Sequence, residues 1–116
     1  MNIYIAGQMR GIPHFNYPAF MRAARKLRED GHVVFSPAER DNDRHGVDIS
    51  INNPAGCEKL AAQLHGFSIR DALLDDLTFI CREADAIALL PGWEKSKGAN
   101  AEYATALALG LQVIHL

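Results

Sequence analysis

The chain has 116 residues, of which 48% are hydrophobic and 22% are charged, and its formal net charge is -2. These values are typical of one globular domain and argue against a disordered or fibrous chain. The weakly acidic balance provides no broad basic surface, so we do not expect duplex nucleic acid as a partner.

The chain begins with the pattern of a parallel β-α-β unit. Residues 2–6 form a short apolar run that ends at Gly7, which is typical of a buried strand leading into a tight loop. Apolar residues recur at helical spacing over residues 17–30, and residues 33–36 predict a second strand that ends at Pro37. The interval between the strands contains the predicted helix and suits a β-α-β crossover, so we expect the two strands to be parallel.

The middle of the chain has no clear period. Residues 38–67 are rich in Asn, Asp, Gly and Pro, so we expect an irregular excursion with a short helix near residues 58–64. Residues 68–84 then predict a helix, with Ser68 as its N-cap and one apolar face that includes Ile69.

The last part alternates strand and helix again. Residues 86–90 predict a buried strand, 91–98 a loop, 99–109 a helix that ends before a glycine, and 112–115 a final strand. The whole pattern predicts a single-domain α/β protein, with a flavodoxin-like or Rossmann-like parallel sheet of four or five strands and helices on both faces. In the strand order 2-1-3-4, the loops after strands 1 and 3 flank a crevice.

The loop after the first strand is one candidate binding segment. Two glycines allow backbone amides to approach a ligand, and an arginine offers a planar fork to a phosphate or carboxylate. The alternative is an ordinary turn with a solvated arginine. The residues of this segment are Gly7, Gln8, Met9, Arg10 and Gly11.

The loop at residues 91–98 leads directly into the last helix, and it is the second candidate. The free amides at the helix N-terminus, together with Ser96 and Gly98, favour an anion. Trp93 is a candidate for stacking on a base, or else a packing anchor.

Two acids are the candidate catalytic residues. On a helical wheel Glu102 falls inside the apolar arc that runs from Leu109 to Leu107, where a carboxylate is unusual. An acid favoured by the helix dipole is the ordinary alternative. Asp76 lies near the edge of the apolar arc of the preceding helix and is the second candidate.

These segments carry a resemblance to a known family. With Gly7-Gln8-Met9-Arg10-Gly11, Asp76-Leu77 and Ser96-Lys97-Gly98-Ala99-Asn100-Ala101-Glu102, the chain resembles the nucleoside 2-deoxyribosyltransferase-like superfamily over residues 1–116. Within it, the chain looks like the DUF4406 family. The order of features is also similar to that of the 2'-deoxynucleoside 5'-monophosphate N-hydrolases, whose loop has the form Gly-Ser-Ile-Arg-Gly and whose nucleophile lies in Ser-x-Gly-x-x-x-Glu.

The resemblance implies roles for individual residues. Glu102 matches the covalent nucleophile and Asp76 the second acid, while Arg10, Ser96 and Gly98 match phosphate-side positions. Gln8 departs from the serine of the hydrolases. The nucleoside transferases tend to carry an acid where this chain has Ser96, so Ser96 favours a nucleoside monophosphate.

The implied activity is hydrolysis of the N-glycosidic bond of a (deoxy)nucleoside 5'-monophosphate, without a metal or an organic cofactor. A base-exchanging deoxyribosyltransferase and a non-catalytic nucleotide-binding module are the alternatives. The resemblance also implies a homodimer or larger assembly.

We further expect a cytosolic protein with no membrane association. Cys57 and Cys81 are too few for a disulfide scaffold, and no apolar stretch approaches the ~20 residues of a membrane span.

Overall fold

The computed structural model describes residues 1–45, 56–57, 66 and 68–116. Four strands and four α-helices lie along these residues. They are β1 (Asn2–Ala6), α1 (Tyr17–Glu29), β2 (Val33–Phe35), α2 (Pro37–His45), α3 (Ile69–Arg82), β3 (Ala86–Leu89), α4 (Lys97–Ala108) and β4 (Gln112–His115).

The four strands form one parallel sheet in the order β2-β1-β3-β4. The register pairs Ile3 of β1 with Val34 on one side and with Ala86 on the other. This confirms the predicted α/β class and strand order, with four strands over the described residues. The chain winds outward in opposite directions from β1 and β3, so a crevice opens at the carboxyl ends of these strands.

Helices cover both faces of the sheet. One face of β1 presents Ile3 and Ile5 to the apolar residues of α1, among them Phe20. On the other face, Tyr4 and Ala6 of β1 lie in a second apolar cluster, with residues of β3, α3 and α4. Successive residues of a strand point to opposite faces, so this alternation places Tyr4 on the same side as α3 and α4.

Serine caps determine where two helices begin. The Ser68 Oγ accepts a hydrogen bond from the Asp71 amide at 3.4 Å at the start of α3, as predicted. The Ser96 Oγ accepts one from the Ala99 amide at 3.1 Å at the start of α4. Each cap satisfies one of the amides that the first turn of a helix leaves without a partner.

The helix α2 lies where we predicted an irregular segment. Pro37 ends β2 and also begins α2, because proline has no amide to donate and its fixed φ suits the first helical position. The residues after Ala38 are mostly charged or polar, so no apolar period marks this helix. The helix predicted near residues 58–64 lies outside the described residues.

Two helical faces differ from the wheel predictions. In α4 the buried residues are Ala99, Glu102 and Ala106, while Leu107 and Leu109 are exposed. In α3 the buried residues are Ala72, Asp76 and Ile80, and Ile69 is exposed. Alanines allow α4 to pack close to the sheet, so small residues line its inner side and leucines lie outside. In the part of the chain that is described, no helix is long and apolar enough to span a membrane.

Candidate functional site

A cavity of about 370 Å³ opens at the carboxyl edge of the sheet. It lies between the loop after β1, the helix α2 and the first turns of α3 and α4, and its volume is in the range of small-molecule sites. Eight of the ten predicted site residues line this cavity: Gly7, Gln8, Met9, Arg10, Asp76, Ser96, Gly98 and Glu102.

Glu102 lies at the inner wall of the cavity and is only 6% exposed. It projects from α4 towards the sheet, where the hydroxyl of Tyr4 donates a hydrogen bond to its Oε2 at 2.6 Å. Tyr4 is itself fully buried in β1. A charge-assisted bond of this length orients the carboxyl group and favours its ionised form.

The environment of Glu102 acts on its charge in opposite directions. Burial raises the pKa of Glu102 well above its ordinary value, and the nearby negative charge of Asp76 raises it further, with a smaller effect from Asp41. The hydrogen bond from Tyr4 lowers the same pKa. Burial and the neighbouring acids together outweigh the hydrogen bond, so the pKa of Glu102 is raised overall.

Asp76 provides the second carboxyl group. It projects from the second turn of α3, is 9% exposed and lines the same cavity as Glu102. Burial raises the pKa of Tyr4 well above its ordinary value, and the charges of Glu102 and Asp76 raise it further. Tyr4 therefore stays protonated and acts as a donor to this pair of acids.

The loop after β1 approaches the other elements closely. A Cβ at Gly7 would lie 2.9 Å from the Leu90 Cβ, so only glycine allows this contact. Arg10 lines the cavity from an exposed position at its rim. Gly11 has a φ of +77° and its amide donates to the Gly56 carbonyl at 3.0 Å, but Gly11 does not line the cavity.

A left-handed turn follows this loop. His14, Phe15 and Asn16 have φ values of +54°, +54° and +61°. Residues other than glycine pay about 1–2 kcal/mol each in this conformation. The turn buries Phe15 in the cavity wall and lets the Asn16 Nδ2 donate to the Gln8 carbonyl at 3.1 Å. It therefore holds the preceding loop in place.

The start of α4 brings positive charge to the cavity. Lys95 and Lys97 line it beside Ser96 and Gly98. The partial positive charge of the helix N-terminus lies at the same place. This end of the cavity suits an anion.

Trp93 has a different environment from the one predicted for a stacking residue. Its ring lies 4.7 Å from the ring of Tyr103, and it packs against the apolar cluster rather than lining the cavity. Of the two interpretations given for Trp93, this geometry favours the packing anchor.

Sequence reasoning missed three kinds of cavity residue. Tyr4 was part of a run that predicted only a buried strand, although a buried tyrosine hydroxyl needs a partner and is a usable signal. Asp41 lay in the segment that was predicted to be irregular. Phe15, Lys95 and Lys97 carry no pattern that distinguishes them from ordinary loop residues.

Among the described residues, no group of three His, Cys, Asp or Glu side chains is placed to hold a metal ion. Two of the acids that line the cavity accept hydrogen bonds from tyrosine hydroxyls: Glu102 from Tyr4 and Asp41 from Tyr17.

Fold and cavity together define an α/β protein with a buried acid pair at the carboxyl edge of a parallel sheet. The chain matches the family described as "Domain of unknown function (DUF4406)" over residues 1–115, and it belongs to that family. No curated protein and no solved structure matches the chain.

Proposed function

We propose that this protein hydrolyses the N-glycosidic bond of a (deoxy)nucleoside 5'-monophosphate, with Glu102 as the covalent nucleophile. One observation carries the proposal: a buried carboxyl group lies at the inner wall of a nucleotide-sized cavity, held by a buried tyrosine and accompanied by a second acid. The resemblance to the nucleoside 2-deoxyribosyltransferase-like superfamily, on Glu102 and Asp76, supports the same roles.

The first step breaks the bond between the sugar C1' and the base nitrogen. In the form that reacts, Glu102 is ionised and Asp76 carries a proton. The bonding pair leaves with the base, which takes this proton from Asp76, and a Glu102 oxygen forms an ester to C1'. The developing positive charge on the sugar is stabilised by the carboxylate, as in retaining glycosidases. The hydrogen bond from Tyr4 keeps Glu102 oriented and favours its ionised form.

The second step is hydrolysis of this ester. A water molecule attacks C1', the Glu102 carboxylate is released, and the water proton returns to Asp76. The enzyme is then restored to its starting protonation state, and the products are the free base and the sugar phosphate.

The charge at the end of the cavity beside the start of α4 supports the proposal that the substrate carries a phosphate. The Lys95 and Lys97 positions and the amides at the start of α4 place positive charge there, and Arg10 adds a further positive charge at the rim of the cavity. A ligand with its phosphate at this end brings the sugar towards Glu102, because Glu102 lies little more than one turn further along the same helix.

Incubation with a panel of nucleotides and their nucleosides, followed by chromatography for released base, tests the proposal. We expect base release from at least one 5'-monophosphate and a loss of at least a thousandfold in kcat for Glu102→Gln, which keeps the size but cannot form the ester. Mass spectrometry of acid-quenched wild type should show a sugar phosphate adduct that Glu102→Gln lacks.

Glu94→Gln is the matched control, because Glu94 is exposed and undergoes the same chemical change. Residual turnover of Glu102→Gln within tenfold of the wild type would remove Glu102 from its role. Tight binding without base release would show a binding module, and a new nucleotide on addition of an acceptor base would show a transferase.

A further inference from the structure

Asp41 is a buried acid that the proposed reaction does not use. It lies in α2, is 6% exposed and lines the cavity. The hydroxyl of Tyr17 donates a hydrogen bond to its Oδ2 at 3.3 Å. Burial of a carboxyl group is unfavourable unless its surroundings supply hydrogen bonds or charge partners. Asp41 is held by Tyr17 at the wall of a ligand cavity, which makes it a candidate for ligand recognition.

Ion pairs fix the helix that carries Asp41. Glu39 pairs with Arg28 of α1 through two hydrogen bonds of 2.7 and 2.8 Å. The Arg40 Nε donates to Asp75 of α3 at 3.2 Å. These two neighbours of Asp41 connect α2 to the helices on either side of it, so the carboxyl group is presented to the cavity by an anchored helix.

The sheet order places Asp41 and the anion-binding end on opposite sides of the cavity. The helix α2 follows β2, which flanks β1 on one side, whereas α4 follows β3, which flanks β1 on the other. Glu102 lies between them, because it contacts Tyr4 of the central strand β1. A nucleotide with its phosphate at the start of α4 and its C1' at Glu102 therefore extends its base towards Asp41.

We propose that Asp41, held by Tyr17, recognises the base of the substrate and selects guanine. This inference rests on the proposed function and adds the identity of the base. A carboxylate only accepts hydrogen bonds, and it does so best from two adjacent N–H groups that match its two oxygens.

The bases differ in what they present to such a group. Guanine offers a ring N–H beside an amino group, so it forms two parallel bonds. Adenine and cytosine offer an amino group beside an unprotonated ring nitrogen, which limits them to one bond. Thymine and uracil present an N–H between two carbonyl oxygens, and those oxygens are repelled by the carboxylate. Guanine is thus the best donor match for Asp41.

A comparison of GMP with IMP, in both the ribose and the deoxyribose series, tests this. The two bases differ only in the amino group that guanine directs to Asp41. Dissociation constants are measured by calorimetry in the Glu102→Gln background, in which the substrate stays intact. We expect GMP to bind about ten- to a hundredfold more tightly than IMP, as for the loss of a hydrogen bond to a charged group.

The Asp41→Asn change should remove this difference. Asparagine has the same shape but presents one donor and one acceptor, so GMP should weaken and IMP should change little. Tyr17→Phe, which leaves the carboxyl group in place but loses its hydrogen bond, should reduce the preference only in part.

Several outcomes would overturn the inference. If the Glu102→Gln protein, in which Asp41 is unchanged, bound GMP and IMP with equal affinity or preferred a pyrimidine nucleotide, Asp41 would not select guanine. If Asp41→Asn weakened the binding of GMP and IMP by the same factor, the role of Asp41 would be purely structural. No binding of any nucleotide would overturn the proposed function itself, and with it this inference.

Discussion

The surroundings of the Glu102 carboxyl group oppose its negative charge. Burial and the neighbouring acids make its ionised form unfavourable, and one hydrogen bond from Tyr4 opposes them. Groups of this kind are common at functional sites, where stability is lost in exchange for reactivity. The effect on stability can be measured without knowledge of the substrate.

We predict that Glu102→Gln stabilises the protein more strongly as the pH rises. In the folded state the raised pKa means that Glu102 binds its proton more tightly than in the unfolded chain, where the ordinary value is 4.5. Its contribution to stability is complete below pH 4.5 and is lost as the pH rises through the raised pKa. Glutamine has no such loss, so its advantage grows over this window.

Thermal unfolding of both proteins between pH 4.5 and pH 8 measures this effect. We expect little difference at the acidic end and a gain for Glu102→Gln of roughly 1 kcal/mol or more at pH 8, which is several degrees in Tm. Glu94→Gln, at an exposed site, should follow the wild type. A difference between wild type and Glu102→Gln that does not change with pH would contradict the prediction.

A second prediction at the residue scale concerns Arg10. Loss of a charge-assisted contact costs about 1.5–3 kcal/mol, so Arg10→Ala should weaken monophosphate binding by roughly ten- to a hundredfold and leave the nucleoside nearly unchanged. Calorimetry with matched nucleotide and nucleoside pairs measures both. Arg22→Ala on the exposed side of α1 is the control. An equal loss for both ligands would rule out Arg10 as a phosphate contact.

The sequence identified the acids of the site more readily than their partners. Glu102 and Asp76 were recognisable because a carboxylate in or near an apolar arc is anomalous. Tyr4 is an ordinary member of an apolar strand until α4 packs against the same face of the sheet, and only the tertiary structure brings the two together. The left-handed turn at Phe15 was not predicted, since phenylalanine rarely adopts a positive φ.

At the scale of elements, apolar periodicity predicted the strands and helices that bury apolar residues. It failed for the helix that is held by polar contacts. All four strands, and the helices α1, α3 and α4, were predicted within a few residues. The helix α2 was missed because it is anchored through Glu39 and Arg40, and its few apolar residues form no period. Asp41 was missed with it.

The two serine caps allow a matched comparison between helices. Ser96→Ala and Ser68→Ala should each lower the free energy of unfolding by about 1 kcal/mol, because each removes a side-chain cap. Only Ser96 lines the cavity. Its hydroxyl can accept from Ala99 and donate to a ligand, so only Ser96→Ala should also weaken monophosphate binding severalfold.

Chemical denaturation and calorimetry on the two variants separate these effects. Equal stability losses with a binding defect confined to Ser96→Ala are the expected result. A binding defect of the same size in Ser68→Ala would mean that helix stability, rather than the Ser96 hydroxyl, controls the affinity.

At the scale of the whole molecule, the part of the cavity that the described residues line is assembled from several separate segments. The loop after β1, α2, α3 and the start of α4 each contribute side chains, and the parallel sheet brings their ends to one edge. The same architecture leaves leucines on the outer surface of the helices. Leu74 of α3 is 65% exposed and Leu107 of α4 is 52% exposed. A second copy of the chain that covered these leucines would remove their apolar surface from water, which favours association.

We predict that the protein is a homodimer or a larger assembly, and that the outer surface of α3 and α4 forms the contact. The chain has a mass of 12.8 kDa, so light scattering at micromolar concentration should give at least twice this value. Leu74→Glu and Leu107→Glu place a charge on the exposed surface, and each should shift the mass towards the monomer without unfolding the chain, because neither side chain is in the core. Val33→Glu, at a residue that is 64% exposed on β2, is the control and should leave the mass unchanged. A mass of one chain for the wild type, or an unchanged mass in both leucine variants, would contradict this prediction.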